Sequence, residues 1–370
     1  MKILVTGGCG FVGSHLVDRL VGDGHDVLVY DLLEPQVHGK KKPVYLNKDA
    51  KYIFADIRNK DKLKKAMKDI EVIFHQAAQV GVGQSMYEIE KYVSHNSCGT
   101  AVLLDLLVNT KNKVRKLICA SSMSIYGEGA YFCRNCGKVY PLLRSEEQLK
   151  SKEWEMRCPK CGAEVSSIGT TEDKPLFPTS VYATTKRDQE EMCLEVGIAY
   201  KIPTVSLRYF NIYGPRQSLN NPYTGVAAIF LSRVKNNNPP AIFEDGRQSR
   251  DFIYVTDIVE ANILAMQKDQ ANYDSFNVGT GVAHSIGDIA SAIIALYNKD
   301  LRQEVMNKFR AGDIRHCYAD ITKISSKLGF KPKVLFEQGM KMLIEWADTQ
   351  NAKDLTLTAQ MELKKRGLAQ

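Results

Sequence analysis

Lys2-Ile3-Leu4-Val5-Thr6 is a short apolar run that breaks onto Gly7-Gly8-Cys9-Gly10-Phe11-Val12-Gly13, and Ser14 to Val21 then carries apolar residues at helical spacing. This reads as strand, glycine turn, helix, and it constrains the fold more than any other stretch of the chain. Missing side chains in such a turn let the backbone approach a bound group closely. The amides at the start of the helix then make an anion site suited to a pyrophosphate.

Gly8, Gly10 and Gly13 satisfy the dinucleotide fingerprint, although a glycine fingerprint alone is also an ordinary turn. The next strand, Asp26-Val27-Leu28-Val29-Tyr30, ends in Asp31, 18 positions past Gly13. That is close to the spacing of about 20 at which an acid meets the cofactor ribose. A carboxylate there accepts from a free 2′-hydroxyl and repels a 2′-phosphate, so the expected cofactor is NAD rather than NADP. The pattern continues with a strand over Tyr52 to Ile57, a lysine-rich helix to Lys68 and a strand from Val72 to Ala78. Such alternation predicts an α/β fold with a doubly wound parallel sheet. Asp56 at a strand end is placed to reach the adenine amino group, and Ala77 and Ala78 to line the cofactor where larger side chains would collide. Strand-end chemistry is the plain alternative for all three. Asn96 either holds the cofactor side of the site or caps the helix from Thr100 to Val108.

With 370 residues, 44% of them hydrophobic, the chain has material for a large core or for two domains. Its net charge of +8 is spread thinly, the one run being Lys40-Lys41-Lys42. An excess that mild suits anionic small ligands as well as nucleic acid. The first residues hold too few apolar positions for a signal peptide and no segment is long enough to span a membrane, so a cytoplasmic protein is expected. Of the nine cysteines, Cys9, Cys98, Cys119, Cys193 and Cys317 are scattered and four form two tight pairs. Without an export signal, pairs of that kind point to metal rather than to disulfides.

Lys116-Leu117-Ile118-Cys119-Ala120 is a buried-strand run that delivers Ser121-Ser122-Met123-Ser124 to a sheet edge, and much later comes Tyr182-Ala183-Thr184-Thr185-Lys186. Residues four apart share a helix face, so Lys186 is expected beside the Tyr182 phenol. A Tyr and a Lys so spaced usually mark only an amphipathic surface. Following a dinucleotide turn and a serine-rich strand end, they read as chemistry.

Gly7, Gly10 and Gly13 also have the wider spacing of short-chain dehydrogenases. Together with Arg208 to Arg216, Asp245 to Phe252, Asn277-Val278-Gly279 and Arg310 to Arg315, the chain resembles an extended short-chain dehydrogenase/reductase of the nucleotide-sugar epimerase group. The likeness runs from Gly7 to about Phe336. It implies a Rossmann-type sheet over 1–129, 168–207 and 252–277, and a smaller nucleotide-sugar domain over 208–251 and 278–347. For cofactor binding it implies Gly7, Gly10, Phe11, Val12, Gly13, Asp31, Asp56, Ile57, Ala77, Ala78, Asn96, Tyr182, Lys186 and Tyr209. Ser122, Tyr182 and Lys186 become the catalytic set, with Tyr182 taking a sugar hydroxyl proton as hydride leaves the same carbon. On the substrate side it implies Ser122, Met123 and Ser124 at the sugar, Asn211, Arg250 and Arg310 at the diphosphate, Ile242 and Phe243 flanking the nucleobase, and Cys317 setting the room around the sugar ring. A buried small hydrophobe is the ordinary reading of that cysteine. Dehydratases of the family place acidic residues directly after the catalytic Ser or Thr, and decarboxylating relatives a Glu two places on. Here those places are Met123 and Ser124. The implied reaction is therefore 4-epimerisation through a 4-keto sugar, with another nucleotide-sugar oxidoreductase or dehydratase as the alternative.

Between Tyr126 and Tyr182 lies an excess of chain holding Cys133-Arg134-Asn135-Cys136 and Cys158-Pro159-Lys160-Cys161, each pair followed by glycine. This spacing predicts a zinc-ribbon-like insertion over 130–167 with one structural zinc on Cys133, Cys136, Cys158 and Cys161. A tail over 348–370 reads as a short amphipathic helix from Met361 to Leu368. Insertion and tail together are similar to the dTDP-L-rhamnose 4-epimerase branch. The resemblance further implies a homodimer formed by the helices around Val102–Val108 and Tyr182–Val196. A different class of function, a Rossmann-fold protein that binds RNA through its ribbon, is disfavoured because a pure binder has no use for Ser122, Tyr182, Lys186 or the phosphate arginines.

Overall fold

The computed structural model describes every residue except 40, 41, 222, 224, 311 and 370. Lys40 and Lys41 of the lysine run, and Ala311 of the last matching segment, lie outside the described residues. Seven strands form one parallel sheet: β1 (Lys2–Thr6), β2 (Asp26–Asp31), β3 (Lys51–Phe54), β4 (Val72–His75), β5 (Lys116–Ser122), β6 (Thr204–Tyr209) and β7 (Asp274–Val278), in the order β7-β6-β5-β4-β1-β2-β3. The doubly wound parallel sheet expected from the alternation is present. Its central strands are buried along nearly their whole length because both faces are covered. Helices α1 (Phe11–Gly22) and α4 (Val255–Gln267) bury Leu16, Val17, Leu20, Ile258 and Ile263 on one side. On the other, α2 (Gly99–Asn109) and α3 (Val181–Tyr200) bury Leu103, Leu104, Leu107 and Cys193. Strand order reverses between β1 and β4, and the loops leaving their carboxyl ends diverge into a crevice.

A second core forms from Val226–Lys235, Ile286–Leu296 and Phe336–Asp348 with Phe252 and Tyr254. In the last of these helices Met340, Leu343, Ile344 and Ala347 are buried at helical spacing. Three short antiparallel strands, Ala130–Cys133, Gly137–Val139 and Ser166–Ile168, make a separate small sheet with a core of Tyr131, Val139 and Met156.

Some expected boundaries shift. The strand expected to reach Ile57 ends at Phe54, because Asp56 turns the chain by accepting from the Arg58 amide at 2.8 Å. A turn of π-helix over Val93–Cys98 precedes α2. The tail helix starts earlier than expected, at Thr356, and stops at Lys365, with Gly367 at φ 71° just beyond it.

Candidate active site

The first intrahelical bond of α1 runs from the Ser14 amide to the Gly10 carbonyl at 2.9 Å, so the amides of Phe11, Val12 and Gly13 precede the ladder. All three residues line a cavity of about 670 Å³ in the crevice. A Cβ on Gly7 would stand 2.7 Å from the Ala77 amide nitrogen, and one on Gly13 would stand 2.2 Å from the Gly7 carbonyl oxygen. The loop is thus packed backbone against backbone along the wall of the cavity. Asp31 closes the far end of this wall. Its carboxylate accepts from the Cys9 and Leu33 amides at 2.9 and 2.8 Å, which orients it and leaves lone pairs toward the cavity. Ile57, Ala77, Ala78 and Tyr209 also line it. These donors, the acid and the small residues fit a dinucleotide.

β5 carries Ser122 to the same cavity. The Ser122 hydroxyl accepts from the Ser124 amide and hydroxyl at 3.2 and 2.9 Å, capping the turn that follows the strand. Opposite it, α3 begins on Ser180, whose side chain accepts from the Ala183 amide at 3.1 Å. Ser85 accepts from the Tyr182 amide at 3.0 Å. With its first turn held from two sides, α3 presents Tyr182 and Lys186 to the cavity. Burial pushes the Tyr182 phenol up, and a hydrogen bond with Ser122 works against that. Burial pushes Lys186 down.

Lys186 is steered by residues the sequence does not flag. Its ammonium donates to the Ala120 carbonyl and to Gln189 at 2.8 Å. Gln189 reaches on to the Thr100 hydroxyl at 2.9 Å and His75 Nε2 at 3.2 Å, and His75 Nδ1 meets the Thr6 hydroxyl at 2.8 Å. Only the position of Gln189, one helical turn after Lys186, is a local signal; the rest of the chain is assembled from four other elements. Burial first, and then the Lys186 ammonium, push the His75 ring down to about 3. A histidine that is neutral when folded contributes stability above its unfolded value of about 6.5, and that contribution is lost as pH falls toward 3. The melting temperature should therefore drop more steeply between pH 7 and 4, approximately, in the wild type than in His75→Asn.

Arg250, Arg310, Asn211, Ile242 and Phe243 gather at the other end of the cavity. Carbonyls hold Arg250: Ser249 and Arg315 at 2.8 and 2.9 Å, and Ile314 at 2.7 Å. Arg310 lies 4.6 Å over the Phe243 ring, and its Nε donates to Asp313 at 2.7 Å. Asn211 Oδ1 is buried with no partner among the described residues. Ile242 is also wholly buried in the second core.

Three expected positions sit elsewhere. Cys317 is 1% exposed, packed with Met123, Tyr126 and Phe210, and is not in the cavity wall; it is the small hydrophobe of the plainer reading. Asn96 is wholly buried and bonds the Gln79 amide and carbonyl and the Thr185 hydroxyl at 2.7, 3.1 and 3.0 Å. It clasps the loop after β4 onto α3 rather than facing the cavity or capping α2. The Asp56 carboxylate is engaged by the Arg58 guanidinium at 2.9 and 2.6 Å, and the carbonyl of Asp56, not its side chain, anchors Tyr30 at 2.9 Å.

The Sγ atoms of Cys133, Cys136, Cys158 and Cys161 lie within 4.8 Å of one another. The tail helix adds Ala359 and Leu363 to the cavity wall near Gly83, and Arg366 stacks 4.2 Å over Tyr87.

Two family models match the chain: one described as the NAD dependent epimerase/dehydratase family over residues 3–143, and one described as GDP-mannose 4,6 dehydratase over 163–343. A dTDP-L-rhamnose 4-epimerase from Burkholderia thailandensis is 35% identical over 93% of this chain and 94% of its own. A crystal structure of a UDP-glucose 4-epimerase from Thermotoga maritima with UDP-glucose superposes with a TM-score of 0.77, at 30% identity, over 94% of this chain and 99% of that one. A UDP-glucuronic acid 4-epimerase from Bacillus cereus, in complex with UDP-glucuronic acid and NAD, gives 0.78 at 28% identity over 94% and 99%.

Proposed function

The chain belongs to the extended short-chain dehydrogenase/reductase family of NAD-dependent nucleotide-sugar epimerases, and we propose that its own residues run a 4-epimerisation on a nucleoside-diphosphate sugar. The observation that carries this is the convergence of the glycine loop, Asp31, Ser122, Tyr182, Lys186 and two arginines on one cavity. NAD, which the glycine loop and Asp31 would hold there, would supply a reversible acceptor for the hydride of the sugar carbon. Ser122 binds the oxygen of the reacting hydroxyl, and Tyr182 takes its proton and later gives it back. Lys186, held by Ala120 and Gln189, supplies positive charge beside the phenol and so favours the phenolate. Arg250 and Arg310 grip the diphosphate while the sugar turns over between the two half-reactions. No carboxylate follows Ser122, since Met123 and Ser124 stand there, so a 4-keto sugar meets no acid and base to eliminate water and is reduced again.

Turnover should interconvert two epimers with no net nicotinamide reduction. Incubation with a panel of UDP-, dTDP-, GDP- and CDP-sugars, followed by separation of products and absorbance at 340 nm, tests this. Steady accumulation of reduced cofactor or release of a dehydrated sugar would overturn the reading. Salt-sensitive RNA binding without turnover of any sugar would instead favour the binding-protein alternative. A homodimer is part of the same proposal, checked by sedimentation at micromolar concentration; a 41.5 kDa species alone would refute it.

The four-cysteine cluster fits zinc in its donor set and spacing. Thiolates at about 2.3 Å from a tetrahedral metal sit about 3.8 Å apart, and Cys133 and Cys161 Sγ are 3.6 Å apart. Four thiolates close the coordination sphere, so such an ion holds the insertion and has no place for substrate. Purified protein should contain about one zinc per chain, lost in Cys133→Ser/Cys136→Ser while bound NAD is kept. Metal-free protein from reducing conditions would refute the assignment.

A further inference from the structure

The cysteine-bearing insertion is wired into the phosphate end of the cavity. Arg144 lies within it, its side chain 1% exposed. Nη1 and Nη2 donate to the two carboxylate oxygens of Glu244 at 2.9 and 2.8 Å, Nη1 also to the Trp154 carbonyl at 2.9 Å, and Nη2 to the Asp313 carbonyl at 3.3 Å. Glu244 also accepts from Arg315 at 2.9 Å. Arg315, with a side chain wholly buried, bonds Asp245 at 2.7 and 2.9 Å and returns to the insertion at Glu155, 2.5 Å away.

Every segment in this network bears on the two arginines read as the diphosphate clamp. Asp313 is the residue whose carboxylate holds Arg310 at 2.7 Å. The carbonyls of Ile314 and Arg315 hold Arg250 at 2.7 and 2.9 Å. Glu244 directly follows Phe243, the ring under Arg310. Surface ion pairs would tether the insertion loosely and tolerate any arrangement. The buried set of Arg144, Glu244 and Arg315 does not, since displacing one partner strands a charge away from water. The backbone of 243–245 is thereby locked to that of 313–315, and the spacing of the two guanidinium forks with it.

We propose that Arg144 is a positioning residue for the substrate diphosphate, acting through Glu244 and Asp313, so that the insertion tunes nucleotide affinity without touching the reacting atoms. The proposal rests on Arg250 and Arg310 being the diphosphate clamp. To test it, UDP, dTDP, GDP and CDP are titrated calorimetrically into NAD-loaded protein, and the tightest binder is carried through the variants. Arg144→Met should weaken that nucleotide about tenfold or more, with bound NAD unchanged, and Arg144→Lys should recover part of the loss. Because Arg144 acts through the clamp, Arg144→Met combined with Arg310→Ala should bind little worse than Arg310→Ala alone. Additive losses, wild-type affinity in Arg144→Met, or loss of NAD together with nucleotide would each overturn the proposal. Should Arg144→Met fail to fold, Glu244→Gln is read by the same criteria. If Arg250→Ala and Arg310→Ala leave affinity unchanged, or the wild type binds none of the four nucleotides, the clamp reading falls and takes this proposal with it.

Discussion

Tyr182→Phe should abolish turnover, lowering kcat by roughly 10²–10⁴-fold, the range of a positioned acid–base group, while the protein keeps its fold and its NAD. The substitution removes one oxygen. The ring stays against Tyr92, edge to face at 6.4 Å, and the Tyr182 amide keeps its bond to Ser85, so packing gives no reason for collapse. What goes is the phenol that hydrogen-bonds Ser122 and stands one turn before Lys186 on the same helix. Burial holds that phenol above its ordinary value, which places the task of making it a base on the charges around it: the ammonium of Lys186 and a cationic nicotinamide. The wild-type rate should rise with pH through that titration, and the residual rate of Tyr182→Phe should lack this limb. Single-turnover kinetics with the best sugar of the panel, alongside bound-cofactor analysis, reads both. Near-normal activity in the variant would mean that another group takes the proton.

Gly13→Ala should empty the cofactor cleft. The added carbon would lie 2.2 Å from the Gly7 carbonyl oxygen and 2.7 Å from Gly8 Cα, both backbone atoms that no rotamer change can move aside. Either α1 withdraws from the loop or the loop opens, and in both cases Phe11, Val12 and Gly13 leave their places in the wall of the cavity. Bound NAD in purified protein should fall to near zero and the melting temperature should drop. Gly22→Ala is the control, because nothing lies within 4 Å of a Cβ there; it should keep cofactor and stability. Full NAD occupancy in Gly13→Ala would show that the pyrophosphate does not rest on this loop.

The segments that carry the family resemblance divide once folded. Arg250 and Arg310 come to the cavity. Arg208 and Asn277 do not: Arg208 is a buried strut between Glu190 at 3.0 Å and the Tyr126 hydroxyl at 2.7 Å, and Asn277 takes the same hydroxyl at 2.7 Å. Asp251, beside Arg250, spends its carboxylate on the amides of Thr280, Gly281 and Ala319 at 2.8, 2.9 and 3.2 Å. Motif membership says that a residue matters to the fold family, and it does not say whether through ligand or through scaffold.

By itself the sequence determined what depends on neighbours a few residues apart. The turn from β1 into α1 was legible because glycine spacing is a local steric requirement, and Asp31 because it ends the very next strand. Tyr182 and Lys186 were legible because a helix brings positions four apart to one face. Each Cys-x-x-Cys knuckle accounts for one pair of thiols, and the fold of the insertion brings the two pairs together. Tertiary structure alone decided the rest, because a buried polar group takes its partner from whatever element packs beside it, at any distance along the chain. Asn96 turned to Gln79 and Thr185, Cys317 turned into a core, and His75 came to stand behind Lys186. Arg144 met Glu244 a hundred positions away only because the insertion folds back onto the clamp, a juxtaposition that no local spacing encodes.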